Sequence, residues 1–181
     1  MKNVPMRYSV ASYEDVPKEI TKVFEKMVET RRGIYIHGGV GSGKTHIAYA
    51  LFKNVKEVLK LERDPLFWNT TELLAEIKED FDRRYDSKHH IDEELMTARV
   101  VLFLDDIGAE KPTDWVQETF YRILNGRYER MLPTVFTSNL TIAQLAERMG
   151  DRIASRIVET CDIVHLKGED KRFKNIKKLT A

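Results

Sequence analysis

The run Gly38-Gly39-Val40-Gly41-Ser42-Gly43-Lys44-Thr45 restricts what this chain can fold into more than any other stretch. It satisfies the pattern G-x-x-x-x-G-K-[ST], with Gly38 and Gly43 as the fixed glycines. Its left flank, Gly33 to His37, reads as a short apolar strand, and its right flank, from Thr45 onward, reads as a helix. The glycines let backbone N–H groups turn inward as an anion nest, and the helix N-terminus adds positive potential. Lys44 supplies a point charge for the β- and γ-phosphates, and the Thr45 hydroxyl can ligate Mg²⁺. The nucleotide contacts are therefore expected from Gly38, Gly39, Val40, Gly41, Ser42, Gly43, Lys44, Thr45 and His46. The competing reading is a Gly-rich turn with a chance lysine, and the strand–loop–helix context argues against it.

A chain of 181 residues is long enough to bury a core as one domain. A hydrophobic share of 42% and a charged share of 33% are ordinary for a globular protein. The net charge of +1 gives no chain-wide attraction to nucleic acid, so any basic surface has to be local. No apolar run reaches the ~20 residues of a membrane span, and Met1 to Pro5 lacks a secretory apolar block. The single cysteine, Cys161, cannot form an internal disulfide, which fits a reducing cytoplasm. Its apolar neighbours make it a buried structural thiol rather than a nucleophile.

Periodicity predicts alternating strands and helices. A weak helix spans about Pro17 to Glu29. Ile47, Ala48, Leu51, Val55 and Val58 mark a helix from Thr45 to about Lys60. Leu66-Phe67-Trp68 reads as a strand. Thr71 can cap a helix with Leu74, Ile77 and Phe81 on its buried face. The charged stretch Asp82 to Glu94 reads as a loop or helical hairpin. Val100 to Leu104 is apolar on both faces, as suits a central parallel strand. Asp114 starts a helix, with Gln117 at the capping-box position, and buries Val116, Phe120, Ile123 and Leu124. Thr134 to Thr137 is a strand, Thr141 and Gln144 form a further capping box, Arg152 to Val158 is helical, and Ile163 to Leu166 is the last strand. Five strands alternating with helices predict an α/β domain with a mostly parallel sheet.

Two further pieces join the phosphate loop. Asp105 and Asp106 end the buried strand at the edge where open α/β sheets bind ligands. Asp105 can hold Mg²⁺ through its waters, and Asp106 can orient or deprotonate an attacking water. Asn139 follows another apolar strand at the same edge and can hold that water, or simply occupy the turn before the next helix.

The segments Leu104 to Glu110, Asn125 to Tyr128, Thr137 to Leu140 and Arg152 to Arg156 resemble the AAA+ ATPase domain of bacterial helicase loaders. These are of the DnaC/DnaI type, related to the IstB transposition helpers. The resemblance covers roughly Tyr8 to Phe173. It implies a three-layer P-loop NTPase fold without a C-terminal helical lid, with ATP and Mg²⁺ as cofactors. It divides the chain into an N-terminal segment (1–32) packing on the core, the ATPase domain (33–173) and a basic tail (174–181). Gly38 to Thr45 would be Walker A, Asp105 and Asp106 Walker B, and Asn139 sensor I. Arg156 would be an arginine finger reaching a neighbouring subunit's nucleotide, which implies a homo-oligomer. Arg152 is the competing candidate, a solvated helix face the competing reading, and Arg172 stands where the family senses phosphate. Loaders usually carry an N-terminal helicase-binding domain, and only residues 1–32 precede the first strand here.

The implied partners are a replicative DNA helicase and single-stranded DNA. Phe81, Arg83, Arg84, Tyr85 and Lys88 mix aromatic and basic character as a strand-binding surface does, although Glu79, Asp80, Asp82 and Asp86 dilute it. Lys171, Arg172, Lys174, Lys177 and Lys178 form a second basic cluster. His89-His90 lacks the spacing and partners of a metal site. Rival functions are an IstB-like transposition helper, a nucleotide-gated adaptor with little turnover, and a small-molecule kinase, for which no arginine-rich lid segment is found.

Overall fold

The computed structural model describes residues 4–82 and 90–168, with the side chain of residue 82 excepted. Five strands form one sheet: β1 (Gly33–His37), β2 (Leu66–Asn69), β3 (Leu102–Asp105), β4 (Thr134–Ser138) and β5 (Cys161–His165). Their order across the sheet is β2-β3-β4-β1-β5, and every pairing is parallel. Parallel neighbours need crossovers, and helices supply them. They are α2 (Lys44–Leu59), α3 (Thr70–Asp82), α4 (Ile91–Thr97), α5 (Asp114–Glu129), α6 (Ile142–Met149) and α7 (Asp151–Thr160), while α1 (Lys18–Thr30) precedes β1.

Successive side chains of a strand point to opposite faces, so each central strand feeds two cores. Ile34, Ile36, Phe103 and Val135 pack with Ile20, Phe24, Ala48, Leu51 and Val55 of α1 and α2. Tyr35, Leu102, Leu104 and Phe136 pack on the other face with residues of α3 to α7, including Ile77, Phe120, Ile123 and Ile153. This is a three-layer α/β fold of the P-loop NTPase kind. Residues ahead of β1 belong to the first core, since Ala11, Val16 and Met27 are buried in it.

Several local expectations shift. The capping oxygen of α5 belongs to Thr113, which accepts the Val116 N–H at 3.3 Å, so Asp114 is the first helical residue and not the cap. Asn69, not Thr71, caps α3, its Oδ1 accepting the N–H groups of Thr71 (3.1 Å) and Glu72 (3.4 Å). Val100 and Val101 stand before β3, because the Val100 carbonyl turns to the Arg127 guanidinium at 2.9 Å. The last strand begins at Cys161, paired with Gly33, two residues earlier than the apolar run suggests. The end of the charged stretch enters a helix, Ile91–Thr97. The Thr141–Gln144 capping box is formed on both sides.

Candidate nucleotide site

The loop between β1 and α2 lies at the carboxyl edge of the sheet, beside β4. Gly43 immediately precedes α2 with φ at 100°, a conformation that a Cβ would strain. The first turn of α2 therefore presents its backbone N–H groups to the loop's concavity. Lys44 is 6% exposed, and its Nζ donates to Gly38 O (2.8 Å), Gly39 O (2.8 Å) and Asn139 Oδ1 (2.7 Å). Each of these acceptors is neutral, so an anion arriving at the loop offers the ammonium a stronger partner.

Asp105 ends β3 and is 5% exposed. Thr137 Oγ1 donates to its Oδ1 at 2.6 Å, and Thr45 Oγ1 donates to its Oδ2 at 3.2 Å. Burial pushes the Asp105 carboxyl above the usual carboxylate range, against those two hydrogen bonds and the nearby Lys44 cation; Asp106 adds to the upward push. Asp106 adopts the left-handed conformation (φ 63°). Its backbone N–H donates to Thr137 Oγ1 at 2.9 Å, and its side-chain Oδ1 accepts from Asn139 Nδ2 at 2.9 Å. The Asn139 amide thus bridges the Lys44 ammonium and the Asp106 carboxylate, an orientation assigned from these two partners.

These groups border a cavity of about 500 Å³, lined by Val40, Gly41, Gly43, Lys44, Thr45, His46, Asp106 and Asn139 together with Arg7 and Tyr8. The last two escaped sequence reading because a three-residue 3-10 turn, Met6–Tyr8, carries no periodic signal. Tyr8 stacks on Tyr49 of α2 (centroids 4.6 Å apart), which stacks on Phe67 of β2 (4.1 Å). Thr137, Thr70 and Glu110 were also missed as site residues. Polar residues closing an otherwise apolar strand, as Thr137 and Ser138 do, are the signal that marks the first of them.

Other candidates lie elsewhere. Arg156 of α7 donates to Asn125 Oδ1 (3.1 Å) and Glu159 Oε2 (3.1 Å) and covers the Tyr128 ring at 4.2 Å. Arg152 covers the Tyr121 ring at 3.8 Å. Neither lines the cavity of its own chain. Cys161 is buried and its thiol is pushed up to about 12 by that burial, as a structural thiol requires. Arg83, Arg84, Tyr85, Asp86, Lys88, His89, Arg172 and the basic tail lie outside the described residues. His90 pairs with Asp80 at 3.2 Å.

The donor set fits one kind of metal. Among the described residues no three His, Cys, Asp or Glu side chains converge as a metal cage. The Thr45 hydroxyl and Asp105 carboxylate offer two hard oxygens side by side. That suits Mg²⁺, which keeps several waters and takes further oxygens from phosphate.

The profile of the family described as IstB-like ATP binding protein matches residues 8–179. The chain belongs to that family. Among curated relatives, the replicative helicase loader DnaI of Bacillus subtilis (strain 168) is 30% identical over 155 residues, which are 78% of this chain and 48% of that protein. An insertion sequence IS21 putative ATP-binding protein from Pseudomonas aeruginosa is 32% identical over 157 residues, 83% of this chain and 56% of the relative. The chain thus spans about half the length of the curated relatives it matches. The crystal structure of the DnaC helicase loader superposes with a TM-score of 0.75 at 27% identity, covering 90% of this chain and 99% of the other. The replication initiator DnaA bound to AMPPCP and single-stranded DNA shares the fold, with a TM-score of 0.72 at 21% identity. The domain is an ATP-binding AAA+ module of the helicase-loader and IstB group. Among the described residues no helix is long and apolar enough to cross a membrane.

Proposed function

We propose that this chain is a Mg²⁺-dependent ATPase that acts on DNA in replication, as the ATPase module of a replicative-helicase loader that binds single-stranded DNA. The observation that carries the reading is the Asn139 bridge, from Lys44 Nζ at 2.7 Å to Asp106 Oδ1 at 2.9 Å. It ties the cation that would grip phosphate to the carboxylate that would handle water.

ATP would enter with its phosphates on the loop N–H groups and its base toward the flat Tyr8–Tyr49 face. Lys44 would exchange neutral oxygens for phosphate oxygens. Thr45 and Asp105 would hold Mg²⁺, which when bound neutralises phosphate charge. Asp106 Oδ1 would accept a proton from water while the Asn139 amide fixes that water's place. Arg156 and Arg152, which do not line their own chain's cavity, would leave their contacts with Asn125, Glu159 and the Tyr128 and Tyr121 rings to serve a neighbouring copy. An arginine delivered in that way can raise turnover ~10³- to 10⁵-fold and makes hydrolysis depend on assembly. Bound ATP then orders an interface that hydrolysis releases.

Phosphate release with and without single-stranded DNA tests the reading. Slow turnover that DNA accelerates, less so as salt rises, is expected. Turnover that no DNA alters would remove the DNA-dependent part. The family profile and the IS21 relative support a second reading, an ATP-dependent transposition helper. Co-purification with helicase or with transposase separates the two.

A further inference from the structure

We infer that the amino edge of the sheet carries a docking site for an acidic segment of a partner protein, which seats an aliphatic side chain between arginines. The site is a cavity of about 680 Å³ at the edge opposite the nucleotide loop. Its walls are the connections that enter β1, β2, β3 and β4. Met27 and Val101 are buried at its floor, while Val28 and Met131 stand 45% and 56% exposed at its lip. Arg127 fixes two of the walls from beneath, donating to Val100 O and Pro133 O, both at 2.9 Å. The cavity is thus built before any occupant arrives, which lowers the cost of binding one.

The rim is cationic. Arg31, Arg99 and Arg130 line the cavity, and all three are exposed. They follow the C-termini of α1, α4 and α5, where a cation commonly serves the free carbonyls. Arg130 does so, donating to Gly126 O at 2.9 Å, with Glu129 3.9 Å away. Arg31 and Arg99 do not. Among the described residues no side-chain hydrogen bond or ion pair engages either guanidinium. No carboxylate lines the cavity, in a chain whose net charge is only +1. Two unengaged guanidinium forks beside apolar surface complement carboxylates, which they can grip in bidentate fashion.

Backbone conformation marks the same place. Four non-glycine residues among those described have positive φ. Asp106 belongs to the nucleotide site. Arg31 (55°) and Met131 (52°) line this cavity, and Lys60 (52°) adjoins Leu61, which lines it too. These three stand at or just past helix ends, where glycine relieves the strain. Side chains kept in that conformation cost stability, and such positions gather at functional sites.

The lining also distinguishes between polyanions. No aromatic ring lines the cavity, so single-stranded nucleic acid would find partners for phosphate but no platform for its bases. Methionine, valine, leucine and proline suit an aliphatic side chain instead.

The test is titration with a fluorescein-labelled peptide of glutamates flanking a leucine pair. A peptide with serines in place of the leucines and a thymidine oligonucleotide of equal charge are the comparisons. The protein carries ¹³C-methyl methionine. The leucine peptide should bind with Kd below about 1 mM. It should shift the methyl signals of Met27 and Met131 and leave that of Met149 on α6 in place. The serine peptide, and the variants Arg31→Gly and Arg99→Ser with the leucine peptide, should each bind roughly tenfold more weakly. Arg31→Gly should unfold in urea at or above the wild-type midpoint, because glycine relaxes that φ. No binding below about 1 mM, undiminished binding by both variants, or an oligonucleotide that displaces the leucine peptide overturns the inference. So does an Arg31→Gly midpoint well below wild type, which would make that arginine a structural cap. The titration uses no nucleotide, so its failure and that of the ATPase reading are separable.

Discussion

Lys44 and Arg127 are both buried cations, 6% and 1% exposed, at opposite edges of the same sheet. Lys44 meets two carbonyls and an amide oxygen, and it borders the cavity. Arg127 is enclosed. Its guanidinium donates to Leu95 O (2.8 Å), Val100 O (2.9 Å), Pro133 O (2.9 Å), Ala98 O (3.4 Å) and Thr134 Oγ1 (2.8 Å). Burial pushes it down to about 9, which leaves it charged at neutral pH. The rigid fork of arginine ties α5 to the α4–β3 connection and to β4, while the compact ammonium of lysine can re-aim its donors. Burial and charge alone do not mark a functional cation; adjoining a cavity that admits an anion does.

Changes at the two edges should therefore separate stability from binding. Arg127→Leu removes five hydrogen bonds from four carbonyls and a hydroxyl, and should cost about 3–5 kcal/mol in urea unfolding. A loss under about 1 kcal/mol would show that those oxygens find water. Gly33→Ala comes next, since its Cβ would sit 2.0 Å from Thr134 O in the β1–β4 pairing. About 3 kcal/mol of destabilisation is expected from that overpacking, with ATP affinity of the folded protein unchanged. Lys44→Ala should alter unfolding stability by less than about 1 kcal/mol, because its partners can turn to water in the cavity.

The smallest effect concerns Cys161, whose Sγ approaches Thr134 O at 3.9 Å. Its thiol rises from an ordinary 9.0 to about 12 on folding. The unfolded chain therefore loses that proton first, and stability from this group is complete below pH 9 and declines toward pH 12. The stability difference between wild type and Cys161→Ala should shift against wild type over that window, and a flat difference would count against burial of the thiol.

The same contrast explains what was legible beforehand. Val100 to Leu104 and Thr134 to Thr137 declare buried strands by composition, and the phosphate loop fixes its neighbours by pattern. Contacts distant in sequence carry no such mark. Val100 and Val101 look like strand, yet the connection they form is held by Arg127. Thr70 lies 36 residues from the Asp106 carbonyl that it meets. Asp114 resembles a cap, but Thr113 reaches the free N–H first, a choice set by one residue of register. Arg7 and Tyr8 reach the cavity only because the chain ahead of β1 packs on α2.

Calorimetric titration of a non-hydrolysable ATP analogue, with Mg²⁺ and with the metal chelated, tests the site most directly. Wild type should bind more tightly with Mg²⁺, and Lys44→Ala should lose roughly 100-fold in affinity, equivalent to about 2.7 kcal/mol. Equal affinity in the two proteins, or binding indifferent to Mg²⁺ and to Asp105→Asn, would contradict a triphosphate held between Lys44 and Asp105.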